Sequence, residues 1–379
     1  MPLIMPIFGT RPEAIKMAPI VRELESSLMD SFVTVTGQHR EMLDQVNDLF
    51  GITPDADLNI LQPGQSLNSI LVRTVEGLDR LLASVRPDAV MVQGDTTTST
   101  AGAIAAFYRG IPVVHVEAGL RSGDILSPFP EEANRKITSQ VAGLHLAPTA
   151  LSKANLLREN VAGSDVVVTG NTVIDALLTT VSRPILFGDP RLEDVAGAAS
   201  KVLLVTTHRR ENQGEAMRGI GRALGRIADA DPGLTIVLPI HKNPAVREAV
   251  LPGLADKPNV IVTEPLAYGE FTRLLSISTL VLTDSGGVQE EAPSLGKPVL
   301  VMRDNTERPE AVAAGTVRLI GTSEQRIFDE VLTLLRDEIL YKEMANAVNP
   351  YGDGHAASRS VAAVAQMLGV GSRLPDFGA

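Results

Sequence analysis

The sequence contains no cysteine and no tryptophan, and aromatic residues make up 3% of its 379 positions. The absence of cysteine excludes disulfide bonds, thiolate-ligated zinc or iron–sulfur sites, and a cysteine nucleophile. Metal sites built from histidine and carboxylates remain open. A chain of this length usually forms two domains, and its apolar fraction of 44% is enough for two hydrophobic cores.

Long apolar runs are also missing, since no uninterrupted stretch reaches the roughly 18 residues that a membrane-spanning helix needs. The apolar start of the chain is too short for a secretory signal and runs directly into a charged loop. We therefore expect a soluble, cytoplasmic protein. The net charge of −11 comes without clusters of Lys and Arg, which disfavours nucleic acid as a partner. An anionic small substrate would need a locally basic pocket.

Several common catalytic and nucleotide-binding motifs are absent, namely GxGxxG, Walker A, the GxSxG elbow and HExxH. Gly219, Gly221 and Gly225 come nearest to a dinucleotide fingerprint, but their final spacing is wrong and they fall inside a predicted helix. Bound NAD is therefore unsupported, and we expect neither a cofactor nor a metal.

Short β-rich apolar runs alternate with segments of helical periodicity, such as residues 13–25 and 67–84, which predicts parallel sheets covered by helices. Residues 181–200 carry two prolines and weak periodicity, and we interpret them as part of a connection. The pattern predicts two doubly wound α/β domains. The predicted strands are residues 3–8, 32–36, 89–93, 113–116, 144–147 and 166–169, then 202–206, 235–239, 260–262, 280–283 and 299–302.

Ligands of open α/β sheets bind at the carboxyl ends of the strands, so the polar residues that follow each strand are the candidates for a site. Arg11 and Lys16 follow the first strand beside a helix start, a setting that favours an anionic phosphate. A solvated basic turn explains them equally well. Asp95 follows the strand at residues 89–93 and is better explained as a helix cap than as a catalytic group.

Three carboxylates, Asp95, Glu117 and Glu131, fall at the same predicted sheet edge, which makes a carboxylate cluster a real alternative to separate capping roles. Glu131 opens a helix, where a carboxylate favours the positive end of the helix dipole. His115 lies within a strand and is interpreted as a hydrogen-bonded core histidine rather than a catalyst.

In the second half, a basic turn that starts at His208 directly follows an apolar strand, and His241 follows the next strand. Ser285, Gly286 and Gly287 come after a further strand. Two glycines at a helix start expose backbone N–H groups to a phosphate, and carboxylates in the first turn can bind ribose hydroxyls. From the residues alone, the sequence predicts a phosphate site together with a carboxylate-rich edge.

A series of segments, in this order and with this spacing, strongly resembles the bacterial non-hydrolysing UDP-N-acetylglucosamine 2-epimerases over almost the whole chain. The segments are FGTRPEAIKMAP at 8–19, QHREMLDQV at 38–46, GDTTT at 94–98, HVEAGLR at 115–121, PEEAN at 130–134, GNTVID at 170–175, HRREN at 208–212, TDSGGVQEEAPSL at 283–295 and NPYGDG at 349–354. Each segment alone is weak evidence, whereas the ordered set is highly specific.

This resemblance implies a GT-B fold, in which two Rossmann-like domains face a cleft, and a homodimer. The N-terminal domain would comprise residues 1–170 and a returning C-terminal helix at 356–379, and the C-terminal domain residues 171–355. Asp95, Glu117 and Glu131 would be catalytic, and His208 would bind or protonate the diphosphate. The residues implied to bind UDP are Arg11, Lys16, Phe271, Ser285, Gly286, Gly287, Glu291 and Arg308.

The resemblance also implies a second site, at which UDP-N-acetylglucosamine acts as an activator. Gln38, Gln65, Arg210 and His241 resemble parts of that site. This chain departs from the family pattern at Gly64, where some relatives carry a basic residue. It departs mildly at Gln93, where histidine is frequent, and at Pro6 within the first strand.

The implied reaction interconverts UDP-N-acetylglucosamine and UDP-N-acetylmannosamine, precursors of cell-surface polysaccharides, by elimination and re-addition of UDP through a 2-acetamidoglucal. Glu117 and Glu131 would divide the acid and base roles. Three alternatives stay open. A GT-B glycosyltransferase would share the Ser-Gly-Gly site, a hydrolysing epimerase would release UDP, and a silent UDP-sugar-binding regulator would do no chemistry.

Overall fold

The computed structural model describes residues 1–38, 40–62 and 64–378 of the chain. These residues form two compact units, each built on its own parallel sheet. Unit 1 comprises Met1–Ala176 and Tyr351–Ala379, and unit 2 comprises Leu177–Pro350. Within the described ranges, no helix combines the length and the apolar character that crossing a membrane requires.

The sheet of unit 1 is parallel and runs in the order β4-β3-β1-β5-β6-β7-β8, with β2 paired to β1. Its strands are β1 (Leu3–Phe8), β2 (Asp30–Ser31), β3 (Thr34–Val35), β4 (Ala56–Asp57), β5 (Ala89–Gln93), β6 (Val113–Val116), β7 (Leu144–Ala147) and β8 (Val166–Val168). Its helices are α1 (Arg11–Glu25), α2 (Arg40–Phe50), α3 (Leu67–Val85), α4 (Thr97–Tyr108), α5 (Glu131–Val141), α6 (Ala150–Arg158) and α7 (Thr172–Val181), of which α7 continues into unit 2.

The central strands of unit 1 are apolar on both faces because helices cover both sides of the sheet. Every residue of β5 and β6 is buried. Met5, Ile7 and Val92 pack with residues of α3 and α4 in one core. Pro6 is accommodated within β1, where it lies opposite Met91.

The sheet of unit 2 is also parallel, in the order β11-β10-β9-β12-β13-β14. Its strands are β9 (Lys201–Thr206), β10 (Leu234–Pro239), β11 (Val260–Thr263), β12 (Leu280–Thr283), β13 (Val299–Val301) and β14 (Val317–Leu319). Its helices are α8 (Pro190–Gly197), α9 (Glu215–Ala230), α10 (Pro244–Val250), α11 (Tyr268–Ile277), α12 (Gly286–Glu291), α13 (Pro309–Ala313), α14 (Glu324–Arg336) and α15 (Glu338–Ala345). Counted within the unit, the strand order is 3-2-1-4-5-6, which is the order of dinucleotide-binding sheets. The fold is thus α/β with two Rossmann-like units, as predicted.

The chain returns to unit 1 after Pro350 and forms α16 (Ala356–Met367) there. Asp175 accepts hydrogen bonds from the N–H groups of Ala356 and Ala357 at 3.3 and 2.8 Å, and burial raises the pKa of its carboxyl to about 6. The N–H of Asn171 donates to the carbonyl of Tyr351 at 2.6 Å. These contacts place residues 171–176 and 351–355 with unit 1, whereas the sequence-based boundaries assign them to the second domain.

The observed strands differ from the predicted ones mainly where pairing is short. The strand predicted at residues 32–36 is reduced to β3, and β2, β4 and β14 were not predicted. Strands of two or three residues are too short to show an alternating pattern. The interpretation of residues 181–200 as connection was incomplete, because α8 forms there after Asp189, whose side chain accepts from the N–H of Arg191 at 3.0 Å.

The glycines that approach a dinucleotide fingerprint lie inside α9, as predicted, and two of them allow close packing of that helix. A Cβ at Gly221 would lie 2.6 Å from the carbonyl oxygen of Val250, and one at Gly225 would lie 2.2 Å from that of Gly253. A Cβ at Gly219 would meet nothing nearer than 3.7 Å. Two of these glycines therefore serve packing against the end of α10 and the segment that follows it.

We predict opposite effects for alanine at two of these positions. Gly225→Ala should destabilise the protein by about 1–3 kcal/mol or more, because backbone atoms must move to admit the methyl group. Gly219→Ala, the matched control in the same helix, should be neutral or stabilise by about 0.5–1 kcal/mol, because alanine loses less conformational entropy. Urea unfolding followed by circular dichroism measures both. Equal effects of the two substitutions would contradict the packing role of Gly225.

Candidate active site

In unit 1 the strand order reverses between β1 and β5, and a buried carboxylate joins the turns that follow these two strands. Glu13 accepts hydrogen bonds from the N–H groups of Gly9 and Thr10 at 3.0 and 2.8 Å and from the hydroxyl of Thr96 at 2.6 Å. Burial raises the pKa of Glu13 even though these donors oppose the shift. Glu13 therefore fixes two turns that carry candidate residues, and its Thr-x-x-Glu capping pattern was the sequence signal for it.

Glu117 lies directly after β6 in an unusual backbone conformation, with φ at 62° and the residue 8% exposed. Its carboxylate is 2.5 Å from the ammonium of Lys16 and accepts a hydrogen bond from the amide of Gln93. The amide of Asn171 donates to its other oxygen at 3.4 Å. A left-handed conformation is costly for a residue with a side chain and is often found at functional sites. Lys16 and Glu117, predicted from separate motifs, are brought together.

Asp95 was expected to cap a helix, and that interpretation is wrong. Thr96 caps α4, since its hydroxyl accepts from the N–H of Ser99 at 3.0 Å. The carboxylate of Asp95 is instead held by the guanidinium of Arg135, through Nη2 and through Nε at 3.1 Å. The amide of Asn134 donates to the carbonyl of Asp95 at 2.9 Å. The start of α5 is thereby attached to the turn after β5.

The first residues of α5 carry two carboxylates with different surroundings. Glu132 is fully buried, and one oxygen accepts from Arg135 and from the N–H of Ser122, both at 3.0 Å. Glu131 is the first residue of the helix, and its Oε2 is buried without a hydrogen-bond partner among the described residues. Glu131 thus keeps one carboxylate oxygen that no described residue satisfies. Arg135 was not predicted, because its contact with Asp95 joins segments 40 positions apart, whereas its pairing with Glu132 is local to α5.

His115 is a core histidine, as predicted. It is fully buried, and its Nε2 lies 2.7 Å from the carbonyl oxygen of Gly94. Burial lowers its pKa to about 3, and that of His145, its partner across the strands, to about 4. Both rings are therefore neutral at physiological pH.

In unit 2 the strand order reverses between β9 and β12, and His208 and Asp284 follow these two strands. The Nδ1 of His208 is 3.2 Å from Oδ1 of Asp284, which is fully buried. The backbone N–H groups of His208 and Arg209 also donate to this carboxylate. Asp284 belongs to the quoted TDSGG segment but was not selected from the sequence, because its role depends on a strand distant in the chain.

Cations converge on the glycine-rich start of α12. A Cβ at Gly286 would lie 3.6 Å from Nη2 of Arg209 and 4.0 Å from Nη2 of Arg308. Arg308 also donates through Nε to Glu290. Ser285 precedes the helix, and its N–H donates to the hydroxyl of Thr283 at 2.9 Å. This surface of unit 2 therefore combines small residues with two guanidinium groups.

The other residues implied to bind UDP lie in both units. A Cβ at Gly287 would lie 3.7 Å from Oε2 of Glu291, whose Oε1 accepts from the hydroxyl of buried Tyr268 at 3.1 Å. Phe271 is a partly buried residue of α11, one turn after Tyr268. Arg11 begins α1 in unit 1, and its guanidinium has no ion-pair partner among the described residues.

The residues resembling a second site are distributed over both units. In unit 1, Gln38 accepts from the hydroxyl of Thr98 at 2.9 Å, and Gln65 accepts from Nη1 of Arg73 at 3.3 Å. In unit 2, the exposed Arg210 begins a 3-10 helix, and the ring of His241 stacks on that of His208 with centroids 5.8 Å apart.

No group of three or more His, Cys, Asp or Glu residues suited to a metal ion occurs within residues 1–38, 40–62 and 64–378. The side chains at the strand ends are suited to chemistry that uses no metal ligand set. Unit 1 presents carboxylates that can exchange protons, and unit 2 presents cations and backbone N–H groups that can bind an anion. Two Rossmann-like units with these strand ends define a protein of the GT-B class.

Comparison with known proteins gives the family. The model of the UDP-N-acetylglucosamine 2-epimerase family matches residues 22–365. The UDP-N-acetylglucosamine 2-epimerase of Escherichia coli K12 is 55% identical, with 95% of this chain and 98% of the relative covered. The chain therefore belongs to the UDP-N-acetylglucosamine 2-epimerase family.

Solved structures agree with this assignment. A putative UDP-N-acetylglucosamine 2-epimerase from Listeria monocytogenes is 46% identical with a TM-score of 0.94, and the match covers 100% of this chain and 99% of that one. The enzyme from Neisseria meningitidis bound to UDP-GlcNAc is 48% identical with a TM-score of 0.86, covering 96% and 100%.

The buried pairing around Arg135 leads to a stability prediction. Arg135→Met should destabilise the protein by about 3–5 kcal/mol, because it leaves the fully buried Glu132 without a cation. Adding Glu132→Gln to that variant should recover part of the loss. Thermal unfolding of the single and double variants measures the coupling. Arg109→Met, which breaks an exposed ion pair with Asp79, is the control and should change little. Additive effects of the Arg135 and Glu132 substitutions would contradict the pairing.

Proposed function

We propose that this chain is a non-hydrolysing UDP-N-acetylglucosamine 2-epimerase, which interconverts UDP-N-acetylglucosamine and UDP-N-acetylmannosamine. The observation that carries the proposal is the carboxylate set at the strand ends of unit 1, in which Glu117 and Asp95 are held by cations and Glu131 keeps an unpartnered buried oxygen. Inversion at one carbon needs such groups. The Neisseria meningitidis relative was solved bound to UDP-GlcNAc, which supports the substrate.

The chemistry requires that UDP leaves during the reaction. The proton on carbon 2 of the sugar is next to no carbonyl and is not acidic, so direct deprotonation faces a very high barrier. Breaking the bond between carbon 1 and the diphosphate oxygen creates an oxocarbenium-like centre that acidifies this proton. Loss of the proton gives 2-acetamidoglucal and UDP. Protonation of carbon 2 on the opposite face and return of UDP to carbon 1 complete the inversion.

The proton carriers are assigned to Glu117 and Glu131, one for each face of carbon 2. Glu117 is fixed by Lys16, Gln93 and Asn171, which orient a carboxylate that accepts a proton. The buried oxygen of Glu131 has no partner among the described residues, so it can carry a proton to the substrate. Asp95 is held by Arg135 and acts as an oriented anion beside the sugar.

The diphosphate is assigned to the cations and to the helix start. Arg11, Lys16, His208 and Arg308 offset the charge that grows on departing UDP, together with backbone N–H groups of the Ser285–Gly286–Gly287 segment. Glu291 would accept from ribose hydroxyls, and Phe271 would lie near the uracil. The reaction needs no redox cofactor, because carbon 2 has the same oxidation state in both sugars.

Regulation and assembly follow the family resemblance in this proposal. UDP-N-acetylglucosamine would also bind as an activator at a second site that includes Gln38, Gln65, Arg210 and His241. The active protein would be a cytoplasmic homodimer. Sedimentation of the purified protein and the dependence of rate on UDP-N-acetylglucosamine concentration are the direct tests of these two points.

The reaction itself is tested by NMR of the purified protein with UDP-N-acetylglucosamine alone. We expect the anomeric signals of both UDP-sugars to approach a constant ratio, without added cofactor or acceptor. UDP and free N-acetylmannosamine accumulating together would indicate a hydrolysing epimerase instead. A requirement for an acceptor sugar would indicate a glycosyltransferase, and unchanged substrate would indicate a binding protein without activity.

The division of roles is tested by Glu117→Gln and Glu131→Gln in deuterium oxide. Each variant should lose epimerisation by about 100-fold or more, because one face of carbon 2 lacks its proton carrier. Each should still exchange the carbon 2 proton of one UDP-sugar, and the two variants should retain exchange in opposite sugars. Glu25→Gln, which alters an exposed ion pair with Arg22, is the control and should behave as wild type. Unaltered exchange and turnover in either site variant would remove that glutamate from the mechanism.

A further inference from the structure

The turn that begins with His208 is organised by one buried carboxylate. Asp284 is fully buried at the end of β12 and accepts hydrogen bonds from the hydroxyl of Thr207 at 2.9 Å and from the N–H of Arg209 at 3.0 Å. The N–H of His208 and the amide of Asn212 donate to it at 2.9 and 3.2 Å. These donors lie more than 70 positions earlier in the chain, so Asp284 joins two separate segments of unit 2.

The same carboxylate also holds the imidazole of His208. Nδ1 lies 3.2 Å from Oδ1, while the ring remains 42% exposed. A carboxylate can only accept hydrogen bonds, so this contact places the proton on Nδ1 and leaves Nε2 directed away from Asp284. The ring of His241, which stacks on that of His208, accepts through its own Nδ1 from the N–H of Asn243 at 3.1 Å. Asp284 is therefore the group that sets the tautomer of His208.

We propose that Asp284 is a positioning residue of the epimerase reaction. It holds the neutral ring of His208 as the Nδ1–H tautomer and stabilises the imidazolium form, whose Nε2–H donates to the departing diphosphate. This proposal rests on the proposed function, in which His208 interacts with the diphosphate of UDP. It goes further by assigning a task to a residue that does not touch the substrate.

The proton balance is simple. In the elimination direction, the imidazolium of His208 donates its Nε2 proton to a diphosphate oxygen as the bond from that group to carbon 1 breaks. Neutral imidazole with its proton on Nδ1 remains, paired with Asp284. On re-addition of UDP the proton returns to Nε2. Asp284 keeps its negative charge throughout, since hydrogen bonds from His208 and from the backbone outweigh burial and lower its pKa.

The wild-type protein tests the assignment directly. Nitrogen-15 NMR of imidazole-labelled protein distinguishes the two neutral tautomers, and the His208 signals are identified by their absence in His208→Asn. Above the imidazole titration range we expect a protonated Nδ1 and an unprotonated Nε2. A protonated Nε2, or an equal mixture of tautomers, would overturn the proposal without any change at Asp284.

Asp284→Asn tests the consequence for catalysis. The amide can donate to Nδ1 and so favour the wrong tautomer, as in the serine-protease variant with the same aspartate-to-asparagine change, which lowers kcat about 10⁴-fold. We expect kcat to fall by about 100-fold or more, the proton to shift to Nε2, and the KM for UDP-N-acetylglucosamine to change about threefold or less. A loss of kcat with an unchanged tautomer would show a merely structural role and reject the proposal.

Thr207→Val is the matched control, because it removes one donor to Oδ2 of Asp284 and leaves the contact between Oδ1 and His208. It should keep the Nδ1–H tautomer and a kcat close to that of wild type. A fall in kcat equal to that of Asp284→Asn would overturn the proposal. If Asp284→Asn does not fold, the NMR measurement of the His208 tautomer in the wild-type protein tests the proposal by itself. A wild-type protein that binds UDP and shows the expected tautomer but does not epimerise would reject the proposed function and not the tautomer assignment.

Discussion

A buried carboxylate that joins two strand-end turns is the interaction on which the candidate residues of each unit depend. In unit 1 this carboxylate is Glu13, and in unit 2 it is Asp284. Each stands where the strand order reverses, at a point where neighbouring loops diverge and leave a crevice. Such a crevice exposes backbone N–H groups, and a carboxyl side chain accepts their hydrogen bonds without filling the space a ligand needs. Each unit thus places a buried carboxylate at its reversal of strand order, Glu13 in unit 1 and Asp284 in unit 2.

Charge is balanced locally in spite of the overall negative charge. Lys16 faces Glu117, Arg135 faces Asp95, and Arg308 faces Glu290. Arg303, which is largely buried, and Arg209 both pair with Glu307, and these contacts lower the pKa of Glu307 to about 2. A cation that already has a carboxylate partner is held in place before an anionic ligand arrives, so little conformational entropy is lost on binding. The cost is that the ligand must compete with an existing partner.

Much of the fold could be predicted from the sequence, because buried strands such as β5 and β12 are largely apolar runs with polar residues after them. The two-residue strands and α8 could not, since short pairing depends on neighbouring strands rather than on local pattern. For the site, residues at strand ends were found because parallel sheets place them at one edge. Arg135 and Asp284 were missed, because a hydrogen bond between distant segments leaves no periodic signal in the chain, and Glu13 was signalled only by its Thr-x-x-Glu capping pattern.

The left-handed backbone at Glu117 has a consequence for how this protein can vary. Glycine would occupy that position without strain, and each such strained residue costs about 1–3 kcal/mol. A glycine there would therefore be tolerated, or even favoured, by the fold while removing the carboxylate that faces Lys16. Under the proposed function this carboxylate carries a proton, so glutamate at this position would trade some stability for activity.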